Sequence, residues 1–188
     1  MLRRIFKPSV AKSKARTLYG QAVAQARQPV FYTTLGVADS PDGRFEMVAL
    51  HVHALLRHLR ADLAARELAQ ALFDHMFFDM DVNLREMGVG DLAVGRRIKA
   101  MAERFYGRIA AYDRGLDDAG DALETALRRT VYDGAPPADE RAPARLADYT
   151  RALDQVVGHW PAADLMVGRF IFPDPPPVEA IATGGTQP

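Results

Sequence analysis

The chain contains no cysteine, so a disulfide framework, a thiolate zinc site and a thiol nucleophile are all excluded. No apolar run is long enough to cross a bilayer. The longest uncharged one, residues 47–56, includes two histidines and is far shorter than the ~20 residues of a spanning helix. Lysine is scarce, at 4 against 20 arginines; with abundant alanine, this bias points to a GC-rich bacterium. Acids are missing from residues 1–38, which carry Arg3, Arg4, Lys7, Lys12, Lys14, Arg16 and Arg27. The remainder holds 17 basic and 24 acidic residues, a net −7, so the overall charge of zero conceals a basic arm on an acidic body. Such an arm suits an anionic partner, either lipid headgroups or RNA; the alternative is a solvated helix start. Leu2, Ile5, Phe6 and Val10 give it one apolar face, enough for weak, salt-sensitive contact with a membrane surface. No hydrophobic signal region follows Arg3-Arg4, which argues against secretion.

At 188 residues, 48% hydrophobic and 26% charged, the chain has the composition of one ordinary globular domain. Leu18, Tyr19, Ala22 and Ala26 share one face of a first long helix, capped by Ser9 or Ser13 and stopped by Pro29. Residues 30–35 have strand-like side chains but no second strand to pair with, so an extended segment laying Phe31 and Tyr32 on the core is expected. Residues 39–43 are a turn cluster. Between 44 and 81 there is neither glycine nor proline. Phe45, Val48, Val52, Leu55, Leu56 and Leu59 keep helical spacing, and Met47, Leu50 and Ala54 widen the apolar arc, as in a helix central to the core. A single helix over this stretch would be too long for a compact domain, so a break is expected between 60 and 66. Leu68, Leu72 and Met76 then begin the next buried face, with Phe73, Phe77 and Met80 as a second stripe. After a joint at 87–91, where Asp91 is placed as N-cap, Ile98, Met101, Phe105 and Ile109 form another buried face. Gly107 inside that helix suggests close approach of a second backbone. Leu116, Ala119, Leu123, Leu127 and Val131 read as one further helix, residues 133–143 as a loop. Leu146, Tyr149, Leu153, Val156, Val157 and Trp160 form the last strong helix, and residues 165–172 a short apolar cap on the core. The expectation is an all-α fold of about six or seven helices: a basic arm over 1–12, a helical domain over 13–172 and a disordered Pro/Gly-rich tail over 173–188.

Catalytic and metal patterns fail on spacing or context. His51 and His58, seven apart on one helix, lie about 10 Å from each other, too far to share a zinc. His75 and Asp79 share a face but find no further ligands, and an interhelical hydrogen bond is the expected use. Asp79-x-Asp81-x-Asn83 opens like a calcium loop, but Leu84 and Gly90 stand where its glycine and closing glutamate belong. Gly88-x-Gly90-x-x-Ala93 matches the relaxed dinucleotide fingerprint without the strand and βαβ unit it requires. Glu86 and Asp91 complete a carboxylate cluster with Asp79 and Asp81 that has no nucleophile beside it; pairing with Arg85, Arg96 or Arg97 suits it better. Asp113, Asp117, Asp121 and Glu124 align as an acidic stripe, read as a solvated face or a surface for a basic partner. Methionines 76, 80, 87 and 101 gather at the joint, where flexible thioethers serve either as core filler or as the lining of a surface for varied apolar helices.

Several motifs together resemble the ubiquinol–cytochrome c chaperone family, the assembly factors of the cytochrome bc1 complex. They are Phe31-Tyr32 with Leu35-Gly36-Val37 and Asp39; Asp42-Gly43-Arg44-Phe45-Glu46 followed by Leu50-His51; and Leu72-Phe73-Asp74 with Met76-Phe77 and Asp79-Met80-Asp81. The strongest is Leu84-Arg85-Glu86-Met87-Gly88-Val89-Gly90-Asp91, leading to Lys99-x-Met101 and Phe105-Tyr106-Gly107-Arg108. The resemblance implies a non-enzymatic, all-helical chaperone without cofactor or metal. In mitochondrial members it further implies binding of newly made cytochrome b, a small second helical subunit and contact with the ribosomal exit region. The long leader of a mitochondrial member is absent, in keeping with a bacterial member.

These readings combine into an expectation of a cytoplasmic chaperone, free or at the inner face of the cytoplasmic membrane. Its client is cytochrome b, held by Phe73, Phe77, Met80, Met87 and Phe105, and its basic arm meets anionic lipid or ribosomal RNA, not DNA. The alternative is a helical module for a quinone, haem or lipid.

Overall fold

The computed structural model of the chain describes residues 10–133, 136–166 and 170–175. Eight α-helices occur among them and no strand: α1 Val10–Ala26, α2 Pro29–Thr33, α3 Pro41–Ala61, α4 Arg66–Glu86, α5 Asp91–Asp117, α6 Ala122–Thr130, α7 Ala142–His159 and α8 Ala162–Met166. The arm's residues 1–9 and the tail's residues 176–188 lie outside the described set; residues 10–12 belong to α1, and Pro173 is still in contact with the helical domain.

The centre is α3. It begins at Ser40, whose Oγ accepts the Gly43 amide (3.1 Å), with Pro41 preset in the first turn. Gly43 is required there because a Cβ would stand 2.0 Å from the Ala38 carbonyl oxygen. The turn cluster at 39–43 is therefore the helix start itself. Fourteen of the 21 residues of α3 are buried. Helices α1, α4 and α7 pack around it, α5 lies against α4 and α6, and α6 joins α7. The expected break falls where α3 ends at Ala61 and a 3₁₀ turn over Leu63–Ala65, capped by Asp62, leads into α4.

Three expectations are corrected. Residues 30–35 are not extended: α2 forms because Pro29 fixes the first helical φ and the turn points Phe31 into the core at 0% exposure. Residues 116–131 are not one helix, since α5 runs to Asp117 and α6 starts afresh at Ala122. Gly107 meets no atom within 4 Å, and the close approach occurs at Gly115, where a Cβ would come within 2.5 Å of the Leu123 Cα.

Three polar side chains of α3 are carried into the interior, and each finds a partner on another helix. Glu46 forms a forked ion pair with Arg108 of α5, at 6% and 11% side-chain exposure. Burial raises the Glu46 carboxyl above its ordinary range, with the Arg108 guanidinium working against that rise. His53 bonds Asp113 of α5 (2.8 Å), which is held down to about 2 first by that hydrogen bond, then by Arg57. His51 is fully buried: its Nδ1–H donates to the Met47 carbonyl (2.7 Å), which fixes the tautomer. Its Nε2 therefore accepts from the Tyr149 hydroxyl (2.8 Å), whose oxygen in turn accepts from Gln25 (3.0 Å). Gln25 also donates to the Pro173 carbonyl (2.8 Å). Helices α1, α3 and α7 and the C-terminal segment thus share one buried chain of hydrogen bonds.

The acidic stripe is only partly a solvated face, since Asp121 is exposed while its other members find arginines. Asp113 and Asp117 both bind Arg57 of α3 (2.9 and 2.5 Å), and Glu124 binds Arg128 (2.7 Å).

Two predictions follow from these buried groups. Removing the Arg108 side chain leaves the Glu46 carboxylate alone in the core; Arg108→Ala is expected to cost roughly 3–5 kcal/mol, while Glu46→Gln with Arg108→Met loses much less. Urea unfolding of the two variants checks this, and equal losses would show that the pair is not acting as a unit. Burial also pushes His51 down to about 4 from 6.5. The unfolded chain then binds a proton before the folded one. Stability is therefore complete above pH 6.5 and falls by about 3 kcal/mol as pH drops towards 4. His75, lowered mainly by its burial, adds in the same direction. His51→Gln should flatten this slope in urea titrations on either side of the window.

Candidate functional site

A groove of about 680 Å³ lies where the C-terminal half of α4 and the first half of α5 meet α1 and the start of α3. Its existence depends on the corner between α4 and α5. Helix α4 ends at Glu86 with Met87 as its C-cap; Gly88 then takes φ +80°, the Gly88 amide donates to the Arg85 carbonyl (2.9 Å) and the Val89 amide to the Leu84 carbonyl (3.0 Å). This paired closure needs a left-handed residue at position 88, which glycine adopts without strain. Gly90, not Asp91, is the N-cap of α5, accepting from the Ala93 and Val94 amides (2.8 and 3.0 Å). Asp91 instead stands in the first turn, where its charge suits the helix dipole, and clasps Arg85, which also binds Asp81 (2.6 Å). The side chain of Glu86 is exposed.

The floor of the groove is apolar: Val23 of α1, Phe45 and Val48 of α3, Met80 and Leu84 of α4, Met87 at the corner, and Met101 of α5. One wall is fixed by Asp79, which accepts from the Tyr19 hydroxyl (2.8 Å) and from Asn83 (3.1 Å). The expected interhelical hydrogen bond thus belongs to Asp79, while His75 packs edge-on against the Tyr19 ring with centroids 5.2 Å apart. Four arginines, Arg27, Arg44, Arg97 and Arg104, line the groove with two carboxylates, Asp42 and Asp79.

Phe73, Phe77, Met80, Leu84 and Met87 follow one stripe along α4, and the structure divides it by length. Phe73 and Phe77 are partly covered by α5, with ring centroids 5.9 and 6.0 Å from Phe105. Phe105 itself is completely buried, so it holds α4 to α5 and is not available to a client. Met80 and Met87 do face the groove, and Met87 is 63% exposed. Sequence reasoning missed Tyr19, Val23, Arg27, Phe45 and Val48, which come from α1, its end and the start of α3, far from the joint in the chain; the arginines at 97 and 104 carried a signal in their two-turn spacing beside Met101.

The remaining motif residues are structural in plain view. Phe31 sits between the rings of His51 and Tyr149 (5.5 and 5.2 Å), and the Tyr32 hydroxyl bonds the Ala26 carbonyl (2.8 Å). Lys99 reaches Glu103 (3.9 Å) on the exposed side of α5. Of the arm's cations, Lys12 and Lys14 lie on α1, while Arg3, Arg4 and Lys7 fall outside the described residues. No group of three metal-binding side chains and no helix long and apolar enough to cross a membrane occurs among the described residues.

Among the described residues the chain is all helical, with an open methionine-floored groove between α1, α3, α4 and α5. The ubiquinol–cytochrome c chaperone family matches residues 33–172, and the chain belongs to that family. It is similar to the Mus musculus ubiquinol–cytochrome c reductase complex assembly factor 1, 24% identical over 83% of this chain and 53% of that protein. The Xenopus laevis factor is also 24% identical, over 83% of this chain and 78% of its own length. The chain therefore spans about half the length of the mouse protein. The crystal structure of the Cbp3 homolog from Brucella abortus is 32% identical and superposes with a TM-score of 0.80, covering 90% of this chain and 94% of that one.

Proposed function

We propose that this protein acts in assembly of the ubiquinol–cytochrome c reductase complex by sheltering apolar segments of newly made cytochrome b in the α1/α3/α4/α5 groove. The observation that carries the reading is the floor formed by Met80, Met87 and Met101. Three unbranched thioethers on three parts of the chain can repack around apolar side chains of different shape, as a surface for successive membrane segments requires. The binding is non-enzymatic and takes place at the inner face of the cytoplasmic membrane, with the basic arm on anionic headgroups.

Photo-crosslinking residues placed at Met80, Met87 and Met101 are expected to capture newly synthesised cytochrome b, while sites at Leu63 and Phe78, exposed elsewhere, stay unlabelled. Capture only from the latter would move the client off this groove. Deleting the gene should lower the cytochrome b absorbance of membranes, and unchanged spectra would remove the assembly role. Purified protein carrying a coloured or extractable quinone or haem would favour a small-molecule module instead.

The arm is tested separately. Deleting residues 2–9, which leaves α1 and its buried Ala15 intact, should abolish co-sedimentation with anionic liposomes; retained binding would take the membrane contact away from the arm.

A further inference from the structure

We infer that the groove discriminates by charge: its occupant is a helical protein segment whose apolar face is accompanied by carboxylates. This rests on the groove being the client site and goes beyond it in naming which segments fit. Of the four arginines in its lining, Arg44 is taken by Asp39 (2.6 Å). Among the described residues, no carboxylate stands within ion-pairing distance of Arg27, Arg97 or Arg104. Arg104 lies near enough to act on Glu46 through space, but that carboxylate is held by Arg108. Against these three cations the lining sets two acids, each held by its own surroundings. Asp79 accepts two hydrogen bonds, and Asp42 stands in the first turn of α3, where the helix dipole holds it.

Three guanidiniums outside any ion pair among the described residues, set against two carboxylates, therefore leave the rim of the apolar floor net positive. A lysine-flanked segment brought into contact meets like charge at short range; a carboxylate meets forked donors. Cytoplasmic flanks of membrane segments are rich in Lys and Arg, so the rim turns those ends away and accepts segments that carry acids. The spacing is specific as well. Arg97 and Arg104 lie two turns apart, about 10 Å along α5, so a helix laid beside α5 with carboxylates seven residues apart engages both. An anionic lipid concentrates its charge at one end, whereas these cations are distributed along the groove on α5 and at the end of α1.

The test uses two labelled helical peptides with the same apolar face, one bearing Glu at positions seven apart and the other Lys. Binding is read by fluorescence anisotropy with the full chain, its Arg97→Gln/Arg104→Gln variant and an Arg129→Gln control on α6. The wild type and the control should prefer the Glu peptide by about tenfold or more, with the preference shrinking as salt is raised. The double variant, helical by circular dichroism, should bind both peptides within about twofold of each other. Equal affinities in the wild type, or a preference that survives in the double variant, would overturn the inference. So would a double variant that loses only phosphatidylglycerol vesicles, which would assign the rim to lipid. Crosslinking of cytochrome b from Met87 with no charge preference would leave the client site standing and remove only its selectivity.

Discussion

A helix surrounded by other helices cannot keep its polar side chains unless each meets a partner from the surrounding layer, and α3 carries three of them into the core. Glu46, His51 and His53 are 4%, 0% and 1% exposed. An unpaired group at any of these positions would cost one to several kcal/mol. Each partner arrives from a distant helix: Arg108 and Asp113 from α5, Tyr149 from α7. These bonds do little for net stability compared with an apolar core of the same shape. Their effect is on registry. Sliding α5 by one turn along its neighbours would part both Arg108 from Glu46 and Asp113 from His53.

That registry is what makes the groove. Helix α5 is fixed to α3 at Arg108 and Asp113 and to α4 through Phe105, all in its second half or near its middle. Its first half, from Asp91 to Arg104, starts from the Gly88 turn and the Arg85 clasp at the corner and buries Val94 and part of Met101. The apolar stripe of α4 is closed where α5 is tied down and open where it is not. Two neighbouring positions on the stripe, Phe77 and Met80, therefore end in different environments although the sequence pattern treats them alike.

Helix existence was legible wherever one face repeats at three-four spacing over several turns, as in α1, α3, α4 and α7, and so was the break between α3 and α4. Two failures have local causes. The five-residue α2 is set by Pro29 and by the burial of Phe31, which outweigh the strand preference of its β-branched and aromatic residues. Asp91 was misplaced by one position because glycine served as the cap. Other failures are not local at all. The partners of Asp113 lie 56 and 60 residues back along the chain, and no spacing rule on α5 distinguishes that acid from a solvated one. Half of the candidate site, Met80, Met87 and Met101, was readable as a cluster at the joint. Its other wall, from α1 and the start of α3, is a product of tertiary packing.

The family motifs and the groove overlap in the floor, where Phe45, Met80, Leu84, Met87 and Met101 all belong to motifs, and part at the rim, where Arg27, Arg97 and Arg104 do not. Gly43, Glu46, His51, Asp79, Arg85, Gly88 and Arg108 are each engaged in a turn, a cap or an internal pair. Arg27, Arg97 and Arg104, with the exposed Met87, are the groups with free bonding capacity or apolar surface at the groove. A scaffold of this kind can hold its geometry fixed while the rim changes, since substituting a rim arginine leaves no buried partner unsatisfied. Substituting Arg108 does. Motif content in this chain therefore reports on the architecture and on the apolar floor of the groove, while the charge of the rim lies outside the motifs.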